Sequence, residues 1–108
     1  MAIRESKIEK DFGAYIESYG GMFLKWKSPG LAGVPDRIIL LDGRVAFFEM
    51  KAINGVRSPM QIYVHKEMRK RGIVVYVPTS LAEAIEMFGR FRAENTTNKF
   101  SQIPREGD

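Results

Sequence analysis

The spacing of apolar residues along the chain predicts seven secondary-structure elements. In the first, apolar residues recur at the three- and four-residue spacing of a helix, and Gly20-Gly21 marks its end. Two later helices begin at a serine that is followed three residues on by Gln61 or Glu83, which is the pattern of a capping box. The predicted helices cover 3–19, 58–72 and 80–91, and the predicted strands cover 22–27, 37–41, 44–51 and 73–77.

The strands over 37–41 and 44–51 are apolar on both faces, which is typical of inner strands in a sheet that is covered on both sides. Asp42-Gly43 between them is a strong signal for a two-residue hairpin turn. The last strand follows a helix, so we expect it to return to the sheet through a helical crossover. The pattern therefore predicts an α/β fold with the order αβββαβα, in which helices flank a central mixed sheet.

Length and composition narrow the class of protein further. The 108 residues fit one domain, which we assign to residues 1–91, with a polar C-terminal tail over 92–108. The chain has no cysteine, so a metal ion would depend on oxygen ligands or on the single histidine, His65. No apolar run approaches the roughly 18 residues of a membrane span and no signal peptide is evident, so we expect a cytoplasmic protein.

The charge of the chain gives a weak indication of its partner. The net charge of +4 is modest and spread along the sequence, and it fits a polyanionic partner. The sequence has no P-loop and no G-x-G-x-x-G motif, so nothing indicates a nucleotide cofactor.

The predicted hairpin brings acidic residues together. If Asp42-Gly43 forms the turn, counting outward places Asp36 opposite Glu49, and directly opposed residues have Cβ atoms about 4.5–5.5 Å apart. Lys51 lies two residues beyond Glu49 and therefore shares its face of the strand. Two facing carboxylates destabilise a sheet unless a cation lies between them.

A divalent cation fits this arrangement, because Mg²⁺ and Mn²⁺ prefer oxygen ligands. The backbone carbonyl of Met50 is placed to be a further ligand. Taken singly, Asp36 is better explained as a turn residue, and Glu49 with Lys51 as an exposed pair at a strand end. Their combination in one register favours a functional site.

The motif Pro35-Asp36 followed by Glu49-Met50-Lys51 resembles that of the PD-(D/E)XK nucleases. The chain resembles in particular the VRR-NUC family, including its short stand-alone members from phages and prophages. The resemblance extends from residue 4 to about residue 90. It also includes Arg4-Glu5-Ser6, Ile8-Glu9, Lys25-Trp26, Ser28-Pro29-Gly30, Gly33-Val34, Arg37, Phe48, Ser58-Pro59-Met60-Gln61 and Gly72.

The resemblance implies hydrolysis of DNA phosphodiester bonds with Mg²⁺ or Mn²⁺. It implies metal ligands at Asp36 and Glu49, a catalytic lysine at Lys51 and a motif glutamine at Gln61. A glutamate of the first helix completes such a site. The stand-alone members resemble homodimeric enzymes that act on branched DNA such as four-way junctions, so we expect a homodimer and a branched substrate.

Two glutamates of the first helix are candidates for the remaining ligand. Glu5 lies nearer the centre of the apolar face than Glu9 at about 100° per residue. Glu9 also has another explanation, because it would close a capping box that starts at Ser6. We therefore predict Glu5 as the ligand and keep Glu9 as the alternative.

Basic residues are candidates for contacts with the DNA backbone. We predict phosphate contacts for Lys25, Lys27, Arg37 and Arg57, and Arg44 is a further candidate, although charges at strand ends are usually only solvated. Within this group Trp26 either stacks on a base or belongs to the core.

His65 and two alternative functions remain open at this point. We favour a packing or surface role for His65 over metal binding. A non-catalytic basic DNA-binding module is the main alternative to an enzyme, although such a module gains nothing from facing carboxylates. A structural subunit that binds a partner protein through the hairpin end is a second alternative.

Overall fold

The structure is a computed structural model that describes residues 5–51 and 55–94. Its elements follow the predicted order of one helix, three strands, a helix, a strand and a helix. The elements are α1 Glu5–Ser18, β1 Met22–Lys25, β2 Arg37–Leu41, β3 Arg44–Phe48, α2 Pro59–Lys70, β4 Val74–Tyr76 and α3 Leu81–Ala93. The predicted strands over 22–27, 44–51 and 73–77 are two to three residues too long.

The four strands form one mixed sheet in the order β1-β2-β3-β4. The β1/β2 and β2/β3 pairs are antiparallel, whereas β3 and β4 are parallel and are connected through α2. Asp42, with a φ of 51°, and Gly43, with a φ of 74°, form the turn between β2 and β3. Positive φ at both turn residues is what a type I′ hairpin requires, and this confirms the predicted turn.

The core lies on one face of the sheet, beneath α1 and α3. Phe12 of α1 packs its ring against Phe48 of β3 and Phe88 of α3, with centroid distances of 5.2 Å and 6.1 Å. Alternating strand residues such as Ile39 and Ala46 are fully buried beneath these rings. Burial of large aromatic side chains dominates the energetics of a core of this size.

The opposite face of the sheet is covered only in part. Here α2 packs against β4, and Val75 is buried. Near the β1 edge, Met22, Leu24 and Val45 stay 53%, 38% and 38% exposed. The expectation that helices cover both sides of β2 and β3 is therefore wrong for this part of the sheet, because one short helix is too narrow to cover all four strands.

The ends of the helices show which capping predictions hold. Ser58 caps α2 and forms the complete capping box with Gln61 that the sequence predicts. Ser6 lies inside α1, so it does not cap that helix as considered above. The last helix ends at Ala93, two residues beyond the predicted domain boundary, and residues 95–108 of the predicted tail lie outside the described residues. Among the described helices, none has the length and apolar character needed to cross a membrane.

Candidate active site

The β2/β3 hairpin has the predicted register. Arg37 pairs with Phe48 and Ile39 with Ala46, so one further step outward sets Asp36 across from Glu49. The pairing of β1 with β2 also continues to this point, since the amide of Trp26 donates to the Asp36 carbonyl at 2.8 Å. Asp36 is therefore held in the extended backbone at the end of the sheet, and its side chain is exposed.

The segment Glu49-Met50-Lys51 is held by β4 rather than by β2. The amide of Glu49 donates to the Tyr76 carbonyl at 2.9 Å, and the amide of Lys51 donates to the Pro78 carbonyl at 3.0 Å. Peptide groups alternate in direction along an extended chain, so the Met50 carbonyl points away from β4, toward the side on which Asp36 lies. This orientation agrees with the predicted role of the Met50 carbonyl as a ligand.

Helix α2 closes the site through Gln61. The Gln61 carbonyl oxygen Oε1 accepts a hydrogen bond from the Ser58 amide at 2.9 Å, which completes the capping box. Because the carbonyl end of the side chain is used there, the amide Nε2 faces Glu49 and lies 3.5 Å from its Oε1. The capping and functional interpretations of Gln61 are therefore compatible, since the two ends of its side-chain amide make separate contacts.

The chemistry of the side chains fits a hard divalent cation. Glu49 is only 6% exposed, and a buried carboxylate is costly unless a donor or a cation stabilises it. A buried carboxylate, an exposed one across from it and a carbonyl supply the oxygen ligands that Mg²⁺ and Mn²⁺ prefer. Among the side chains that the structure describes, no three acidic or histidine residues form a metal-binding cluster. Asp36, Glu49 and the Met50 carbonyl would therefore be only part of the ligand set of such a cation.

The glutamates of α1 have different positions in the structure. The side chain of Glu5, the predicted third ligand, lies outside the described part of the structure. The carboxylate of Glu9 forms an ion pair with the guanidinium of Arg37, and both side chains are less than 20% exposed. Glu9 therefore does not close a capping box with Ser6. Glu9 is thus engaged by Arg37, and the ligand role of Glu5 stays a prediction.

The predicted DNA contacts fall into two groups. Lys25 and Lys27 are exposed on either side of Trp26, which is 44% exposed and meets the ring of Phe47 edge-on. Trp26 is thus neither a core residue nor fully solvated, and it lies beside Asp36. Arg37 instead pairs with Glu9 and lies over the Phe23 ring, so a phosphate would have to compete with these contacts.

Two arginine contacts were not found from the sequence. The guanidinium of Arg44 binds the carbonyls of Phe91 and Glu94 at 2.6 Å and 2.9 Å, at the C-terminal end of α3. This contact explains Arg44 as a helix cap. Arg57 contacts His65 of α2, which is fully buried, so the histidine does not have a surface role. Helical spacing does not indicate this contact, because Arg57 precedes α2 and lies eight residues from His65.

A groove of about 560 Å³ opens between α1 and β1, and its lining includes Glu9, Lys10, Phe23, Lys25 and Arg37. Phe23 packs against α1, so this groove lies on the face of the sheet opposite to the contact between Glu49 and Gln61. Its acidic residues Glu9 and Glu17 lie among the cations Lys10, Lys25 and Arg37, whereas the hairpin register sets Asp36 across from Glu49. We therefore place the active site at the hairpin end.

The chain has an αβββαβα fold, and its central hairpin ends in Asp36 and Glu49. Lys51 follows two residues after Glu49, and α2 is a capped helix. These features define a nuclease core of the PD-(D/E)XK type. The protein p44 of Acyrthosiphon pisum secondary endosymbiont phage 1, which is named as a nuclease, is 38% identical over 76 residues. That match covers 69% of this chain and 82% of the phage protein.

A solved VRR-NUC domain superposes with a TM-score of 0.74 and is 29% identical. The superposition covers 81% of this chain and 96% of that domain. No family model matches the chain. The sequence relative and the solved domain together show that the chain belongs to the VRR-NUC family of nucleases.

Proposed function

We propose that the chain is a metal-dependent DNA endonuclease that hydrolyses phosphodiester bonds. The observation that carries this proposal is the register of the β2/β3 hairpin, which sets Asp36 across from the buried Glu49, with Lys51 two residues further. Membership of a nuclease family supports the same conclusion. A module that only binds DNA would gain nothing from acidic residues at this position, since they repel phosphate.

In this proposal Asp36, Glu49 and the Met50 carbonyl hold a Mg²⁺ or Mn²⁺ ion, with Glu5 as a further ligand. Bound there, the ion would supply a Lewis acid and a source of activated water. Lys51 places its ammonium group where negative charge develops on the phosphoryl oxygens, and so stabilises the transition state.

Gln61 fixes the orientation of Glu49 through the contact of 3.5 Å between Nε2 and Oε1. Its own side chain is fixed by the bond to the Ser58 amide, so the carboxylate does not have to be ordered when DNA binds.

The DNA surface follows from the residues around the site. Lys25 and Lys27 are exposed near the end of β1, where they supply positive charge for phosphates, and Lys25 also lines the groove on the other face of the sheet. Trp26 lies between them in the sequence, is 44% exposed and pairs through its backbone with Asp36, so an unpaired base can stack on the exposed part of its ring. Unpaired or splayed bases occur at branch points, and this feature supports a branched DNA substrate such as a four-way junction.

A homodimer is the assembly that such a substrate favours, because a four-way junction has two-fold symmetry. The uncovered part of the sheet supports this proposal. Met22, Leu24 and Val45 form an exposed apolar patch beside the edge strand β1, and contiguous apolar patches are typical of protein interfaces. Sedimentation of the wild type and of Leu24→Lys tests this proposal, since we expect a dimer and a monomer, respectively.

The catalytic assignment is tested by Lys51→Ala. We expect loss of cleavage by a factor on the order of 100 or more, with DNA binding largely retained, because the lysine acts mainly on the charge of the transition state. Lys7→Ala is the matched control, since Lys7 forms only an exposed ion pair with Asp11 on α1. Undiminished cleavage by Lys51→Ala would contradict the assignment.

Metal dependence and substrate shape are tested together. Wild-type protein is incubated with linear duplex, single strand, flap and four-way junction, in Mg²⁺, in Mn²⁺ and in EDTA. We expect cleavage with either metal, no cleavage in EDTA, and the fastest cleavage for the junction. Binding without cleavage under every condition would instead identify a non-catalytic DNA-binding module.

A further inference from the structure

His65 is a fully buried polar residue on α2 that the proposed mechanism does not use. Its Nδ1 lies 3.2 Å from Nη1 of Arg57. An arginine guanidinium can only donate, so Nδ1 must accept and the proton of the neutral ring lies on Nε2. Burial, together with the charges of Arg57, Arg69 and Lys51, lowers the pKa of His65 to about 4. At neutral pH the ring is therefore an uncharged acceptor.

The remaining ring nitrogen makes packing alone a poor explanation of His65. Nε2 is buried and has no partner at full hydrogen-bond geometry within the described residues, but the backbone of Gly33 acts on the ring as a weak hydrogen-bond acceptor that raises the pKa, which fits a proton on Nε2. An unsatisfied buried donor costs about 1–3 kcal/mol. A hydrocarbon or phenyl side chain would fill the same volume without this cost, so the useful atom of His65 is Nδ1.

Arg57 is a half-buried cation that lies one residue before the cap of α2. Among the ion pairs of the described part of the chain, none involves Arg57. The bond to His65 uses one of the five N–H donors of the guanidinium and leaves the others for a second acceptor.

The position of Arg57 identifies the acceptor that it fits. Arg57 directly precedes Ser58, the cap of α2, and Gln61 of the same turn reaches Glu49. The charge of Lys51 also lowers the pKa of His65, so Lys51 lies near the ring. Arg57 and Lys51 are therefore two cations near His65, beside the candidate active site. An anion that enters here would relieve their mutual repulsion.

We propose that His65 is a positioning residue, which holds the guanidinium of Arg57 so that it binds a DNA phosphate adjacent to the cleaved bond. This inference rests on the proposed nuclease function and adds the way in which one phosphate contact is fixed. The planar guanidinium suits a phosphate group, and fixing it before DNA binds reduces the entropy lost on binding. A histidine that accepted a proton would repel Arg57, so the contact requires the neutral ring.

A double-mutant cycle tests the proposal through DNA binding in EDTA, where no cleavage is expected. The variants are Arg57→Ala, His65→Phe and the double variant, and affinity for a labelled junction is measured by fluorescence anisotropy at several salt concentrations. We expect Arg57→Ala to weaken binding about 10-fold and His65→Phe about 3- to 10-fold. The double variant should be no weaker than Arg57→Ala, because His65 acts only through Arg57.

Two further readouts separate positioning from a general structural role. Each single variant should reduce the slope of log affinity against log salt by about one phosphate contact. His65→Asn, which places an acceptor oxygen near the position of Nδ1, should recover most of the affinity lost in His65→Phe. A lower melting temperature for His65→Phe with unchanged affinity and salt slope would overturn the proposal, as would fully multiplicative effects in the cycle.

If His65→Phe does not fold, the proposal can still be tested on the wild-type protein. Nitrogen-15 NMR of the imidazole ring should show the proton on Nε2, and a proton on Nδ1 would overturn the proposal, since Nδ1 could not then accept from Arg57. Failure of the His65 proposal can be told apart from failure of the proposed nuclease function. The first is judged by DNA binding and by the protonation of the ring, and the second by the cleavage activity of Lys51→Ala. A wild type that binds no DNA would overturn both.

Discussion

Replacing Gly33 with alanine tests whether the loop before Asp36 is held against α2 by a close backbone contact. Gly33 has a φ of +91°, and a Cβ built on it would lie 2.7 Å from the Met60 carbonyl oxygen and 2.9 Å from the carbonyl carbon. Met60 is in the first turn of α2, one residue before Gln61. The absence of a side chain at Gly33 therefore allows the loop to reach the helix that closes the site.

The expected magnitude follows from this geometry. A non-glycine residue at such a φ costs about 1–3 kcal/mol. The added Cβ is also about 0.7 Å short of the 3.4 Å at which ordinary contact begins, and it meets backbone atoms that cannot rotate away. We expect a loss of about 2–4 kcal/mol in the free energy of unfolding. Asp36 lies three residues after Gly33. A displacement of the loop that relieves the contact with Met60 should also move Asp36 and lower the cleavage rate on the order of 10- to 100-fold.

Gly30→Ala is the matched control in the same loop, since nothing lies within 4 Å of the Cβ that it would add. Stability is measured by urea denaturation, and cleavage by single-turnover kinetics at a temperature at which both variants are folded. Gly30→Ala should be neutral or stabilising by a few tenths of a kcal/mol, through the unfolded chain. Equal stability and equal cleavage for the two variants would show that the close approach of Gly33 to α2 does not hold Asp36.

Two further predictions concern stability. Arg44→Met removes the guanidinium from the end of α3. We expect the free energy of unfolding, measured in urea, to fall by about 2 kcal/mol while cleavage is unchanged. Weaker DNA binding at unchanged stability would instead support a phosphate contact. The pKa of His65 is lowered from 6.5 to about 4 in the folded chain. Below pH 6.5 the unfolded chain therefore binds a proton at His65 that the folded chain does not bind. The stability present above pH 6.5 is lost as the pH falls toward 4. This loss is about 1–2 kcal/mol between pH 7 and pH 5. It should be absent from His65→Asn, and equal acid losses in the two proteins would refute the assignment.

The hairpin could be predicted from the sequence because its determinants are local. Asp42-Gly43 favours positive φ at two adjacent positions, which fixes a two-residue turn, and the turn then fixes every pair along the two strands. The position of Asp36 relative to Glu49 follows by counting. Similarly, the serine, proline and glutamine at the start of α2 specify the helix start without reference to the rest of the fold.

Contacts between distant side chains could not be predicted in this way. Glu9 and Arg37 are 28 residues apart, and Arg44 is about 50 residues from the helix end that it caps. Charged residues at such positions are solvated in most proteins, so their types alone do not indicate a partner. The partial exposure of the second sheet face is a similar case, because apolar residues on both faces of a strand show that burial is favourable but not what covers them.

The location of the candidate site follows from the way these local signals combine at the end of the sheet. Asp36 is positioned by antiparallel pairing, whereas Glu49 and Lys51 are held by parallel pairing with β4. The parallel pairing exists only because α2 carries the chain back across the sheet, and the same helix starts with the side chain that reaches Glu49. The residues of the capping box thus serve the fold and the site together. A substitution at Gln61 must therefore change both helix stability and the orientation of Glu49, and activity measured for such a variant has to be corrected for the fraction of protein that is folded.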